Sequence, residues 1–132
     1  MTGELYISNT SGQALYVAGT VYVNKDLNVT GNIYLNGNAT TLSSNNITLD
    51  DSLIYLAANN PSNLMDIGIV GHFVSGKYQH TGIARDHNDG KWKFFSNVST
   101  EPTTTINFNE ANIVYDIVKV GTIEAAAANI NN

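Results

Sequence analysis

Acidic side chains are the first candidates for chemistry, because paired carboxylates support acid–base catalysis and bind metal ions. Six of them stand beside predicted turns or strand ends: Asp50, Asp51, Asp66, Asp86, Asp89 and Glu101. Asp50 and Asp51 are adjacent, so in a strand their side chains face opposite ways and do not form a pair. Because Asp favours turns, we interpret these carboxylates as solvated turn residues.

The segment DHNDG (86–90) carries oxygen donors of the kind that calcium loops use. The EF-hand pattern requires Gly at its sixth place and Glu at its twelfth, whereas here Gly90 is fifth and Asn97 is twelfth. Two alternatives stay open: a looser calcium site in this loop, and a composite catalytic site at a subunit boundary. The composite site would draw on Asp66, Asp86 and Asp89.

Histidines are the next candidates, as ligands of a transition metal. The chain has three of them: His72, His80 and His87. If Ser75-Gly76 forms a two-residue turn, His72 lies opposite Gln79 and His80 lies opposite Gly71. The two histidines then occupy opposite faces of the hairpin and cannot share a metal ion within one chain. In a symmetric oligomer, three copies of one histidine could instead meet on the axis and bind a metal or an anion.

Motifs for nucleophilic catalysis and phosphate binding are missing from the sequence. It contains no Cys, no G-x-S-x-G elbow and no G-x-x-x-x-G-K-[ST] loop. We therefore predict no catalytic residue, no metal ligand and no cofactor, and we expect the protein not to be an enzyme.

Aromatic side chains remain as candidates for binding, since exposed Trp and Tyr have flat, amphipathic surfaces that suit sugar rings. We predict Trp92 and Tyr78 as glycan contacts. The alternative is packing in a core. Strand alternation puts Trp92 and Phe94 on one face of KWKFF (91–95) and Phe95 on the other, so at least one face of this strand should be buried.

A six-residue period organises the first part of the chain. Residues 15–38 read LYVAGT, VYVNKD, LNVTGN, IYLNGN, with an apolar residue at the first and third places of each hexad. Each hexad predicts a short strand with one apolar face, followed by a tight turn. Repeats of this kind bury their apolar faces only by stacking on neighbours. Four hexads cannot close a core alone, so we predict a triple-stranded β-shaft in a homotrimer. The expected interface residues are Leu15, Val17, Val21, Val23, Leu27, Val29, Ile33 and Leu35.

The rest of the chain predicts strands joined by turns. Residues 66–74 and 77–85 flank Ser75-Gly76 as a hairpin, and KWKFF follows the turn DHNDG as a third strand. One or two further strands are expected in INF (106–108) and in residues 112–124. We therefore predict an all-β protein: a hexad-repeat shaft in residues 1–50, a compact antiparallel module in residues 51–124, and a tail in residues 125–132.

Composition limits the partners. The net charge of −5 argues against binding to a nucleic acid backbone. No segment approaches the roughly 20 apolar residues that a membrane-spanning helix needs. Only 13% of the residues are charged, and polarity comes mainly from 19 Asn and 13 Thr, which suit turns and exposed strand positions.

The order of the motifs resembles a module found in structural proteins of tailed phages, especially phages of marine cyanobacteria. The similar pieces are the hexads leading into NITLDDSLIYLA (46–57), DIGIVGHF (66–73) and TGIARDHNDGKWKFF (81–95), followed by EPTTT (101–105). The resemblance spans roughly residues 21–106. It implies a virion component assembled in the host cytoplasm, a trimeric tail-fibre or appendage segment that contacts other virion proteins. It implies no catalytic residue and no ligand site.

Two other functions stay open at this point. One is a carbohydrate-recognition module at the tip of a fibre, which would bind a cell-surface glycan. The other is a capsid decoration protein.

Overall fold

The structure is a computed structural model that describes residues 3–129. It contains one four-stranded antiparallel sheet with strands in the order β1-β2-β3-β4, and no helix is present among those residues. The strands are β1 (Ile67–Ser75), β2 (Lys77–Arg85), β3 (Trp92–Val98) and β4 (Val114–Tyr115). The prediction of an all-β protein is therefore confirmed. Since the described part of the chain has no helix, it has none that could cross a membrane.

The chain divides into two units, one ending at Ile47 and one beginning at Thr48. The sheet belongs entirely to the second unit. Residues 1 and 2 of the predicted shaft and residues 130–132 of the predicted tail lie outside the described residues.

In the first unit, residues 3–47 form no strand, and each of them is exposed to solvent. Backbone bends occur at residues 18–19, 24–25 and 30–31, at the fourth and fifth places of the first three hexads. The apolar first and third places lie between these bends and are exposed among the described residues. The triple-stranded shaft itself stays a prediction.

The β1–β2 hairpin turns at a single residue. Gly76 has φ +76°, a left-handed conformation that favours glycine, and its neighbours Ser75 and Lys77 are paired. The predicted two-residue turn is wrong by one residue. Because a shift of one residue moves side chains to the other face, His72 lies directly opposite His80 rather than opposite Gln79. The two histidines therefore share a face of the hairpin.

The β2–β3 pairing contains a β-bulge. His80 pairs with Val98 and Gly82 pairs with Phe95, so β3 has one extra residue in this interval. Asn97 lies in the bulge with φ +65°. The bulge turns Phe95 and Val98, which are three positions apart, toward the same side of the sheet, where both are fully buried.

The core lies on that one face of the sheet. It consists of Ala84, Phe95, Val98 and Ile106, with Phe108 and Ile113 packed against it. The last three residues come from the segment after β3, which covers this face. The expected strand in INF is not formed, because these residues adopt a turn in which the Phe108 amide donates to the Ile106 carbonyl at 2.9 Å. Within residues 112–124, only Val114–Tyr115 is a strand.

Two glycines allow β1 and β2 to approach closely on the covered face. A Cβ atom at Gly68 would lie 2.2 Å from the Ile83 carbonyl oxygen, and one at Gly82 would lie 2.3 Å from the Ile69 carbonyl oxygen. These are backbone atoms that cannot move aside without shifting a strand. The sheet therefore requires glycine at both positions.

Candidate functional site

A buried polar network joins the start of β1 to the β2–β3 turn. The Asp66 carboxylate accepts hydrogen bonds at Oδ1 from the His87 backbone amide (2.9 Å) and from His87 Nδ1 (2.7 Å). Its Oδ2 accepts from the Ile106 amide at 2.7 Å. Asp66, Asp86 and His87 are the one group of three possible metal ligands that the described residues bring within 4.8 Å of one another.

Asp86 is held in the same network by other donors. Its Oδ1 accepts from the backbone and side-chain amides of Asn88 at 2.8 and 3.1 Å, and its Oδ2 accepts from Lys93 Nζ. Lys93 also contacts Asp89 Oδ2 at 3.0 Å and lies 4.5 Å from the centroid of the Phe108 ring. Burial acts to raise the pKa of Asp86, but the hydrogen bonds from Lys93 and Asn88 outweigh it and lower the pKa below its ordinary value.

The same contacts act on the amine. Burial acts to lower the pKa of Lys93, whereas its bonds to Asp86 and Asp89 raise it, and the net result is a pKa above the ordinary value. A backbone hydrogen bond from Lys91 and the side chain of Lys93 also lower the pKa of Asp89, so Lys93 stays charged and Asp86 and Asp89 stay ionised at neutral pH. All four carboxylate oxygens of Asp66 and Asp86 accept hydrogen bonds from protein donors. The network therefore serves to fix the turn and the covering segment.

The residues suggested for a composite site at a subunit boundary do come together, but within one chain. Asp66 and Asp86 belong to the network directly, and Asp89 joins it through Lys93. A calcium loop in DHNDG is not supported, because Asp86 and Asp89 are both occupied by Lys93 and by local backbone amides.

A second cluster, of aromatic and polar side chains, lies on the covered face of the β1–β2 hairpin, near its turn. An open cleft of about 230 Å³ is lined by His72 and Val70 of β1, Tyr78 and His80 of β2, and Glu101 with Pro102. The His72 ring stacks on the Tyr78 ring with centroids 4.7 Å apart, and the Tyr78 and His80 rings meet edge to face with centroids 5.1 Å apart.

His80 is the buried member of this cleft, with 4% of its side chain exposed. Its Nδ1 lies 3.0 Å from the Val98 carbonyl oxygen. Its Nε2 lies 3.2 Å from Glu101 Oε2, yet among the described residues it is the one buried side-chain nitrogen or oxygen that lacks a hydrogen-bond partner. The distance is short enough for a hydrogen bond, so the unsuitable angle is what leaves Nε2 unpaired.

Glu101 Oε2 also accepts a hydrogen bond from the Tyr78 hydroxyl at 3.2 Å. Desolvation, and after it the negative charge of Glu101, raise the pKa of Tyr78 above its ordinary value. Tyr78 therefore stays a neutral donor at physiological pH and orients the carboxylate toward His80.

The two predicted glycan contacts do not form a common site. Tyr78 lies in the His80 cleft on the covered side of the sheet, whereas Trp92 pairs with Arg85 and projects from the opposite side. Trp92 is 58% exposed and lines a separate open cleft of about 380 Å³ with Lys91 and Asp116. As alternation predicted, Trp92 and Phe94 share one face of the strand and Phe95 lies on the other; the face of Phe95 is the buried one.

That exposed face of the sheet is apolar. An open depression of about 800 Å³ is lined mainly by five hydrophobic side chains: Ile69, Ile83, Phe94, Val114 and Ile117. No segment of the second unit, as far as the structure describes it, covers these residues. Four of the five are exposed, Ile83 being partly buried.

The eight predicted interface residues of the shaft are between 44% and 70% exposed in the single chain. None of them is buried against another part of the described chain.

Comparison with protein-family models, with curated proteins and with solved structures finds no match to this chain.

Sequence inspection identified the histidines but missed their proximity and the part of Glu101. The signal that could have found the pair is the single glycine, Gly76, between HFVS and KYQH. If the chain turns at this one residue, positions equally far before and after it lie opposite each other, which pairs His72 with His80. Glu101 had no such signal, since it lies in a polar segment whose path depends on how the chain covers the sheet.

Proposed function

We propose that this chain is a structural component of a tailed-phage virion, a trimeric segment of a tail fibre or related appendage. The observation that carries this proposal is the first unit, in which eight apolar side chains at hexad spacing are exposed in the part of the chain that the structure describes. The order of motifs that resembles phage structural modules supplies the biological setting.

The apolar side chains explain why a partner is needed. Burying a Val, Leu or Ile side chain contributes roughly 1.5–3 kcal/mol when complete, so even partial burial of eight per chain is a large driving force. Identical chains offer identical hexads, and three parallel copies would bring their apolar places to a common axis. The exposed apolar face of the sheet supplies a second surface that association of the chains would cover.

Single cysteines test the arrangement, because the natural chain has none. Val29→Cys should form disulfide-linked pairs on mild oxidation, since copies of residue 29 would meet near the axis. Asn28→Cys, one place along the hexad and on the opposite face of the strand, is the matched control and should stay unlinked. Equal linking of both variants, or of neither, would contradict the shaft. Immunogold labelling of phage particles that encode the chain tests the virion assignment, with tail and capsid labelling separating a fibre from a decoration protein.

Carbohydrate recognition is the second candidate, supported by the exposed Trp92 in its own cleft. The indole face, with Lys91 and Asp116 nearby, has the mixture of an aromatic surface and polar groups that a sugar requires. A glycan array probed with the wild-type protein and with Trp92→Ala tests it directly. Binding that the substitution abolishes would place recognition ahead of a purely structural role.

A further inference from the structure

We propose that the cleft beside the β1–β2 turn binds a divalent transition-metal ion, with Zn²⁺ the best match. His80 Nε2 and the Glu101 carboxylate form the centre of the site, and His72 supplies a third ligand. A water molecule would complete a four-coordinate shell.

The protonation state of His80 is the first step of the argument. A backbone carbonyl can only accept a hydrogen bond, so Nδ1 must carry the proton that it donates to the Val98 oxygen at 3.0 Å. In the neutral ring, Nε2 is then an unprotonated nitrogen with a free lone pair. Glu101 Oε2, which is also an acceptor, lies 3.2 Å from Nε2 but off the axis of this lone pair.

Two acceptors at this distance repel each other unless a cation lies between them. A proton on Nε2 is a poor solution, because the angle to Glu101 does not allow a hydrogen bond and Nε2 has no other partner. A metal ion requires only that both lone pairs converge on one point. Ligands about 2.0–2.2 Å from a tetrahedral zinc ion lie about 3.3–3.5 Å apart, close to the observed separation.

The surroundings of His80 fit a metal ligand. Histidines that bind metals usually donate their other ring N–H to a backbone carbonyl or a carboxylate, which fixes the ring and its tautomer. In this protein the Val98 carbonyl accepts that hydrogen bond. The Tyr78 hydroxyl holds the second ligand by donating to Glu101 Oε2.

Access and the third ligand come from the open side of the cleft. The Glu101 side chain is 70% exposed, and its displacement would open the buried Nε2 to an ion from solvent. His72 is exposed and directly opposite His80 across the two strands, and it reaches the ion by rotating away from the Tyr78 ring on which it stacks. Neutral imidazole nitrogens and a carboxylate are a ligand set typical of zinc.

The Asp66–Asp86–His87 group is a poorer site, although its atoms are closer together. Its carboxylate oxygens already accept hydrogen bonds from protein donors, so a metal ion would have to compete with those donors. The His80 cleft instead offers an unpaired, buried nitrogen.

Calorimetric titration of the full chain, freed of purification tags and treated with a chelator, tests the proposal with ZnCl₂ at pH 7.5. We expect one ion per chain. His80→Asn keeps a donor near the Nδ1 position and removes Nε2. It should lower the zinc affinity at least about tenfold, because even the loss of a residue that only supports a ligand costs about that much. His87→Asn is the matched control in the other network, and its affinity should equal that of the wild type.

Glu101→Gln, at an exposed side chain, provides a second test that does not depend on the folding of the His80 variant. It should also weaken binding at least about tenfold, because an amide is a much weaker zinc ligand. Absence of binding at millimolar Zn²⁺, or equal binding by the wild type and Glu101→Gln, would overturn the proposal. One ion per three chains would also overturn it, since that ratio indicates a site on a symmetry axis.

Discussion

Replacing Lys93 by Met tests whether the buried network stabilises the sheet. The substitution keeps an unbranched apolar stem against Phe108 and removes the amine that pairs with Asp86. The Asp86 side chain is 6% exposed, so its Oδ2 would be left buried without a donor while Oδ1 keeps the two bonds from Asn88.

The expected loss of folding free energy follows from those contacts. Breaking a fully buried ion pair costs about 3–5 kcal/mol, and a hydrogen bond between charged groups contributes about 1.5–3 kcal/mol. Lys93 keeps 13% exposure and Asp86 keeps other donors, so the lower range applies. We expect the free energy of unfolding to fall by about 2 kcal/mol at pH 7, a change of up to about 30-fold in the unfolding equilibrium.

Urea unfolding at one fixed protein concentration is the assay, because association would make stability depend on concentration. Lys91→Met, at an exposed neighbour, is the matched control and should change the stability by less than about 0.5 kcal/mol. A loss for Lys93→Met as small as that of the control would refute the stabilising role of the network.

The pH dependence of the same variant gives an independent check. The pKa of Asp86 is lowered in the folded protein, so its contribution is present above the ordinary value of 3.8 and is lost as the pH falls through the lowered pKa. The pKa of Lys93 is raised, so its contribution is present below the ordinary value of 10.5 and is lost as the pH rises through the raised pKa. The difference in the free energy of unfolding between wild type and Lys93→Met should therefore be largest between these two pKa limits, and it should become smaller at lower and at higher pH. A difference that stays constant down to the acid limit would show that the lost stability is not ionic.

Three further predictions concern the shaft, the sheet and the exposed aromatic side chain. Val29→Asp should dissociate the trimer or prevent its folding, because three desolvated carboxylates would meet near the axis, and the effect should be larger at pH 7 than near pH 4. The control Asn28→Asp should stay trimeric. Sedimentation measures both outcomes. Gly82→Ala should destabilise the sheet by about 1–3 kcal/mol in urea unfolding, because its Cβ would overlap a backbone oxygen, whereas Gly71→Ala has open space and should be nearly neutral. Incubation with bacterial surface polysaccharides should release no oligosaccharide, and Trp92→Ala should abolish any glycan binding that the wild type shows on an array.

Local patterns predicted much of the sheet. Apolar strands around Ser75-Gly76 gave a hairpin whose ends differ from the observed β1 and β2 by one residue at most, and KWKFF lies within or next to β3. The placement of Phe95 on the face opposite Trp92 and Phe94 followed from alternation alone. These features depend on neighbours in sequence, which is why they can be inferred without a structure.

Features that depend on long-range packing were not predictable. The register of the hairpin hinged on whether one or two residues form the turn, and the bulge at Asn97 has no clear sequence signal. Ile106 was expected in a strand, but it enters the core from a turn because the segment after β3 crosses the sheet and is tied to Asp66. The His80–Glu101 contact depends on the same crossing.

The molecular mass in solution tests the central claim most directly. Multi-angle light scattering of the purified chain at micromolar concentration should give about three times the 14.2 kDa mass of one chain. That result would agree with the prediction that exposed hexads of three copies bury one another. A mass of one chain at the same concentration would contradict the trimer and, with it, the proposed structural role.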